Sequence, residues 1–160
     1  MDTPENETRA PGTPTRPVTD TQVFTLMSAR SEVAPRVCRD FVAGVLRSLG
    51  HGGTAEAARV CTSELATNIV LHAAGESMLL RLVVRPGRTR IGIYDSATGI
   101  PEWRPSDDGS VAPHGRGLLL VDAMSARWDT AGEDPLGWYT KGVWFELPTD
   151  GTPSRAGNQA

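Results

Sequence analysis

Ser63-Glu64-Leu65-Ala66-Thr67-Asn68-Ile69-Val70-Leu71-His72-Ala73 reads as the later part of a helix, and it decides how the rest of the chain is read. The apolar stripe of that helix, Ala58, Cys61, Leu65 and Ile69, recurs at helical spacing. Glu64 and Asn68 lie four residues apart in a neighbouring row, about 100° round the helix, so they border the core while facing a cleft. A carboxylate can take a proton from a hydroxyl or water, and an amide oxygen can ligate a hard cation such as Mg²⁺. Taken alone, Glu-xxx-Asn is short enough to be only the polar edge of an amphipathic helix.

Towards the N-terminus, Thr54 is expected to cap this helix, and Gly50, Gly52 and Gly53 to end the one before it. That earlier helix starts at Ser31 with Pro35 in its first turn, and Val33, Val37, Cys38, Phe41, Val42, Val45, Leu46 and Leu49 form its apolar face. Gln22 to Met27 is a short strand. Beyond the key helix, Met78 to Arg85 is strand-like, Pro86-Gly87 gives a turn, and Arg90 to Tyr94 is a second strand ending at Asp95. Residues 96–116 lack periodicity and form a long loop, which in a compact domain is either functional or disordered. Gly117 to Ala126 is a third helix, and two last strands fit around 125–130 and 142–147. This order predicts an α/β protein, a two-layer α/β sandwich with a mixed, mostly antiparallel sheet and its helices on one face.

A chain of 160 residues is long enough for one domain with a real core. Residues 1–20, with Pro4, Pro11, Pro14 and Pro17, and residues 150–160 bury too little apolar surface to offset their chain entropy. They are expected to be disordered tails around a folded domain at 21–149. The formal charge is −3, the pI is near 5.6, and no basic block stands out, so no nucleic-acid partner is expected. No apolar run approaches membrane-spanning length and the first residues lack the apolar centre of a secretion signal, so a cytoplasmic protein without membrane contact is expected. Cys38 and Cys61 fall on apolar helix faces and read as small buried thiols.

Two further segments carry candidate chemistry. Asp95, at a strand end, can accept a hydrogen bond from an exocyclic amine, which adenine offers at N6 and guanine does not. Gly115-Arg116-Gly117 leads straight into the apolar run Leu118-Leu119-Leu120-Val121. Glycines there let backbone amides approach a phosphate, and a helix N-terminus adds partial positive charge. His72 reads as a helix-end residue and His114 as a border of the long loop, and neither is assigned catalysis.

Together the Glu64-to-Asn68 helix, Asp95-Ser96-Ala97-Thr98-Gly99 and Gly115-Arg116-Gly117-Leu118 resemble the ATP site of the GHKL ATPase/kinase superfamily over about residues 22–148. The closest form is the RsbW-like anti-sigma factor serine/threonine kinase of actinobacterial type. The resemblance implies a Bergerat-type ATP-binding fold that uses ATP and Mg²⁺. It makes Glu64 the general base and Asn68 the Mg²⁺ ligand. It assigns Asp95, Gly99, Gly115, Arg116, Gly117 and Leu118 to the nucleotide, and Glu102 to His114 to a lid. Arg36 would touch a protein partner, either a sigma factor or an anti-sigma factor antagonist, and relatives are often homodimers. The chain departs from the family pattern at Ala97, where the family has Gly, and at Thr140-Lys141-Gly142, where relatives often read Gly-Lys-Thr. The rival readings are an ATP-gated interaction module without phosphotransfer and an ATPase without a protein acceptor. A catalytic domain serving a separate histidine acceptor is weaker. A complete histidine kinase is not expected, because no helical hairpin with an acceptor histidine is legible.

Overall fold

Alternation decides the sheet. In the strand Ser77–Arg85 (β2), Met78, Leu80, Leu82 and Val84 are buried on one side, while Arg81, Val83 and Arg85 reach the other. The computed structural model describes residues 21–96 and 116–149. They form the strand Gln22–Ala29 (β1), the helices Ala34–Ser48 (α1) and Gly52–His72 (α2), β2, and the strand Arg88–Asp95 (β3). The helix Arg116–Met124 (α3) and the strands Arg127–Ala131 (β4) and Lys141–Pro148 (β5) complete them. The sheet order is β1-β2-β3-β5-β4, and every pairing is antiparallel. The expected tails, 1–20 and 150–160, and most of the expected loop lie outside the described residues.

One core fills the space between the sheet and the helices. Ile91 and Ile93 of β3 and Phe145 and Leu147 of β5 join the even-numbered β2 residues. They meet Cys38, Val42 and Leu46 of α1 and Ala58, Cys61, Leu65 and Ile69 of α2. Full burial of each such Leu, Ile or Phe side chain contributes about 1.5–3 kcal/mol, so this layer dominates the fold's stability. Burial also pushes the Cys38 and Cys61 thiols up to about 11, which keeps both protonated and unreactive as small core residues.

The helix boundaries differ from the sequence reading for local and tertiary reasons. Helix α1 opens at Ala34 rather than Ser31, because Ser31 contributes its carbonyl to a preceding turn, accepting from the Ala34 amide at 3.0 Å. Gly50, at φ +84°, ends the stretch after α1, but Gly52 and Gly53 belong to α2. Thr54 does not cap α2. Its hydroxyl donates to the Pro148 carbonyl at 2.7 Å and ties the start of α2 to the end of β5. At the other end, Arg30 donates to the carbonyls of Gly75 (2.6 Å) and Val70 (3.1 Å), placing a cation on the last turn of α2. The helix that carries Glu64 and Asn68 is thus fixed at both ends to the sheet. The last elements also shift slightly, with α3 ending at Met124 and β4 starting at Arg127.

The face of the sheet turned away from the helices carries a charged cluster. Glu146, only 5% exposed, accepts from Arg90 at 2.8 Å and Arg127 at 2.5 Å, and the Arg90 guanidinium lies 3.9 Å over the Trp144 ring. Burial alone would push the Glu146 carboxyl up. The hydrogen bonds from Arg127 and Arg90 outweigh that and hold it below the ordinary 4.5. A lowered folded-state pKa means stabilisation that is complete above 4.5 and fades as pH falls through the lowered value. Glu146→Gln is therefore expected to cost about 1–3 kcal/mol near neutral pH, the worth of charge-assisted hydrogen bonds. The cost should vanish in acid. Thermal unfolding followed by circular dichroism from neutral to acid pH checks this: the two melting curves should start to approach each other below 4.5 and converge once the pH is under the lowered value.

Candidate nucleotide site

At the C-terminal half of α2 the helix layer and the sheet part to leave a cavity of about 330 Å³. Leu65, Asn68, Ile69, His72 and Ala73 form its helical wall, Ile93 and Asp95 come from β3, and Lys141, Gly142 and Val143 from β5. Leu118 of α3 closes it. The volume lies in the range of small-molecule sites, and the lining is apolar with a few converging polar groups.

Asp95 is brought here by register. It is the last residue of β3, faces the helix layer, and pairs across the sheet with Lys141. It is 5% exposed, and its backbone carbonyl accepts from the Thr140 amide at 3.1 Å. A carboxylate held at the rim of an apolar slot suits a flat heterocycle carrying an amine.

Asn68 lines the same cavity, while Glu64 stands one turn earlier on α2, at the edge nearer α3. Both are half-buried. Gly117 shows how close α3 comes to them. A Cβ added at Gly117 would lie 2.9 Å from Glu64 Oε2, 3.3 Å from Glu64 Cβ and 3.5 Å from Asn68 Nδ2. The first turn of α3 therefore rests directly on the carboxylate-amide pair, and only glycine leaves the carboxylate where it is. Asn68, Asp95 and Leu118, read from separate segments of sequence, line one cavity, and Glu64 and Gly117 meet beside Asn68.

The remaining expected site residues stand elsewhere. Gly99 and Gly115 lie outside the described residues, and Arg116 is placed only as the first residue of α3. Arg36 projects from the exposed side of α1, 3.8 Å from Asp40, and takes no part in the cavity. His72, the last residue of α2, lines the cavity mouth.

Lys141 and Gly142 were not picked out as site residues from the sequence. The signal was present: Val143, Phe145 and Leu147 alternate inward, which places Lys141 on the same side. Gly142 faces the opposite side, beneath the Tyr94 ring. A Cβ there would overlap that ring and meet the Ile93 carbonyl oxygen at 2.8 Å. The departure from Gly-Lys-Thr to Thr140-Lys141-Gly142 thus has a packing reason, since threonine at 142 has no room beneath Tyr94.

Among the described residues no group of three or more His, Cys, Asp and Glu could enclose a metal ion. The donor set at Asn68 suits a cation held by one amide oxygen and completed by phosphates and water, as Mg²⁺ prefers. No helix among the described residues is long and apolar enough to cross a membrane.

The family model described as histidine kinase-like ATPase domain matches residues 27–135. An uncharacterized protein of Streptomyces coelicolor (strain ATCC BAA-471 / A3(2) / M145) is 34% identical, the match covering 46% of this chain and 85% of that protein.

Proposed function

The chain belongs to the histidine kinase-like ATPase domain family, and on that premise we propose that it is a cytoplasmic, ATP-dependent serine/threonine protein kinase of the anti-sigma factor type. It would bind a sigma factor and phosphorylate an anti-sigma factor antagonist. The observation that carries this reading is the convergence of Glu64, Asn68 and the first turn of α3 at the edge of the cavity that holds Asp95. Asp95 accepts from the base, and Leu65, Ile69, Ile93 and Val143 sandwich its faces. Asn68 would hold Mg²⁺, which supplies charge neutralisation on the phosphates when bound. Glu64 accepts the proton of the attacking hydroxyl, and the start of α3 presents backbone amides to developing negative charge. Arg36, exposed on α1, is available to a protein partner without obstructing the cavity.

The test is incubation of the protein with γ-labelled ATP, Mg²⁺ and candidate antagonist proteins. Acid-stable label on a serine or threonine of the partner supports the proposal. ATP binding with no label transferred would leave an ATP-gated interaction module, and phosphate release without any partner would leave an ATPase.

Gly117→Ala probes the geometry. Alanine favours a helix over glycine by about 1 kcal/mol, so folding stability should hold or rise. The new methyl displaces the Glu64 carboxylate, and displacements of that size lower turnover on the order of tenfold or more. An unchanged or higher melting point together with a slower transfer rate is the expected pair of readings.

A further inference from the structure

Among the described residues, the face of the sheet turned away from the helices is rich in arginine although the chain as a whole is acidic, at −3. Period-two alternation puts Arg81 and Arg85 of β2, Arg88 and Arg90 of β3, and Arg127 of β4 on this side. Glu146 takes up Arg90 and Arg127. Among the described residues, no carboxylate lies within ion-pairing distance of Arg81, Arg85 or Arg88. Arg85 and Arg88 stand directly opposite each other at the end of the β2–β3 hairpin, a like-charge pairing that weakens a sheet. Stability does not account for it. Arg81, Arg85, Arg88 and Arg90 line a groove of about 180 Å³ with Val83 and Gly92 between them, Pro135 and Tyr94 at its side, and Glu146, held by Arg90 and Arg127, at the Arg90 end.

We infer that this groove is a docking surface for an acidic segment of a partner protein, whose carboxylates pair with Arg81, Arg85 and Arg88. Guanidinium groups form paired hydrogen bonds with carboxylates, and the groove takes such side chains one or two at a time. A single-stranded nucleic acid fits less well. Its bases would need exposed aromatic faces along the groove, but the Trp144 ring is covered by the Arg90 guanidinium and the exposed Trp138 is not among the residues that line it. Tyr94 lies flat over Gly92 and Gly142, and packs with Leu79 and Tyr139. A second copy of this face would set arginines against arginines. The surface lies on the opposite side of the sheet from the cavity and needs no nucleotide.

The experiment is fluorescence anisotropy of the full chain, without nucleotide, with a short labelled Glu-rich peptide. A Lys-rich peptide and a labelled oligonucleotide serve as comparisons. Binding of the acidic peptide is expected to weaken with added salt and to fall on the order of tenfold or more in Arg85→Glu/Arg88→Glu. Arg47→Glu on α1, away from this face, should leave it unchanged. Arg85→Gln/Arg88→Gln removes the repulsion across the hairpin, so it should fold at least as well as the parent and still bind weakly. Absence of peptide binding to the parent chain, or equal binding by both double variants, overturns the inference. So does tighter binding of the oligonucleotide that the same variants abolish, or a dimer in sedimentation that those variants dissociate.

Discussion

Glu64→Gln is expected to lower phosphotransfer turnover by ~10²–10⁴ while leaving MgATP affinity within about twofold, because a positioned general base contributes that much and glutamine cannot accept the proton. The substitution keeps the side chain's length and shape, so the close fit between α3 and α2 at Gly117 survives. It also keeps helix propensity, since Gln and Glu are nearly equal in a helix interior. A fall in rate at unchanged affinity and unchanged melting point therefore isolates proton transfer from binding and folding. Single-turnover transfer to the partner protein, measured beside calorimetric titration with MgATP, separates the two quantities. Equal turnover by parent and variant would remove Glu64 from catalysis and leave it as the residue that seats α3.

The pairing of Glu64 with Asn68 was legible in the sequence because helical periodicity is local: four residues apart is one turn, whatever the rest of the chain does. The same holds for the apolar stripe of α2 and for most of that of α1, although Val33 and Val37, expected on that face, are exposed. Apart from the start of α1, set by the local turn at Ser31, the misread features depended on contacts distant in sequence. Thr54 is a good capping residue by type, yet its hydroxyl partner is the carbonyl of Pro148, supplied only when β5 is in place. Lys141 gains meaning from its register with Asp95, and that register requires β5 to pair with β3, leaving β4 at the sheet edge. The basic face was invisible for a related reason. A search for a continuous basic run finds none, because the arginines occupy alternate positions on three strands and become neighbours only in the sheet. Reading charge with the strand period rather than along the chain would have found it.

Asn68→Ala carries the second large effect, and it falls on binding as well as turnover. Removing the one amide oxygen assigned to the cation should abolish the Mg²⁺-dependent part of nucleotide affinity, since direct ligation is worth several kcal/mol in charge stabilisation and phosphate orientation. The comparison that decides it is internal. The parent chain should bind ATP more tightly with Mg²⁺ than with chelator, on the order of tenfold or more, and the variant should bind equally in both, at the parent's chelated level. Loss of fold cannot imitate that pattern. Alanine exceeds asparagine in helix propensity by about 0.6 kcal/mol, and Asn68 is half-buried at the cavity wall, outside the apolar core. The Asp95 end of the cavity, proposed above for the base, is untouched by the change, so residual metal-independent binding should persist. Undiminished Mg²⁺ dependence in Asn68→Ala would move the cation to another ligand, and with it the direction from which the phosphates enter.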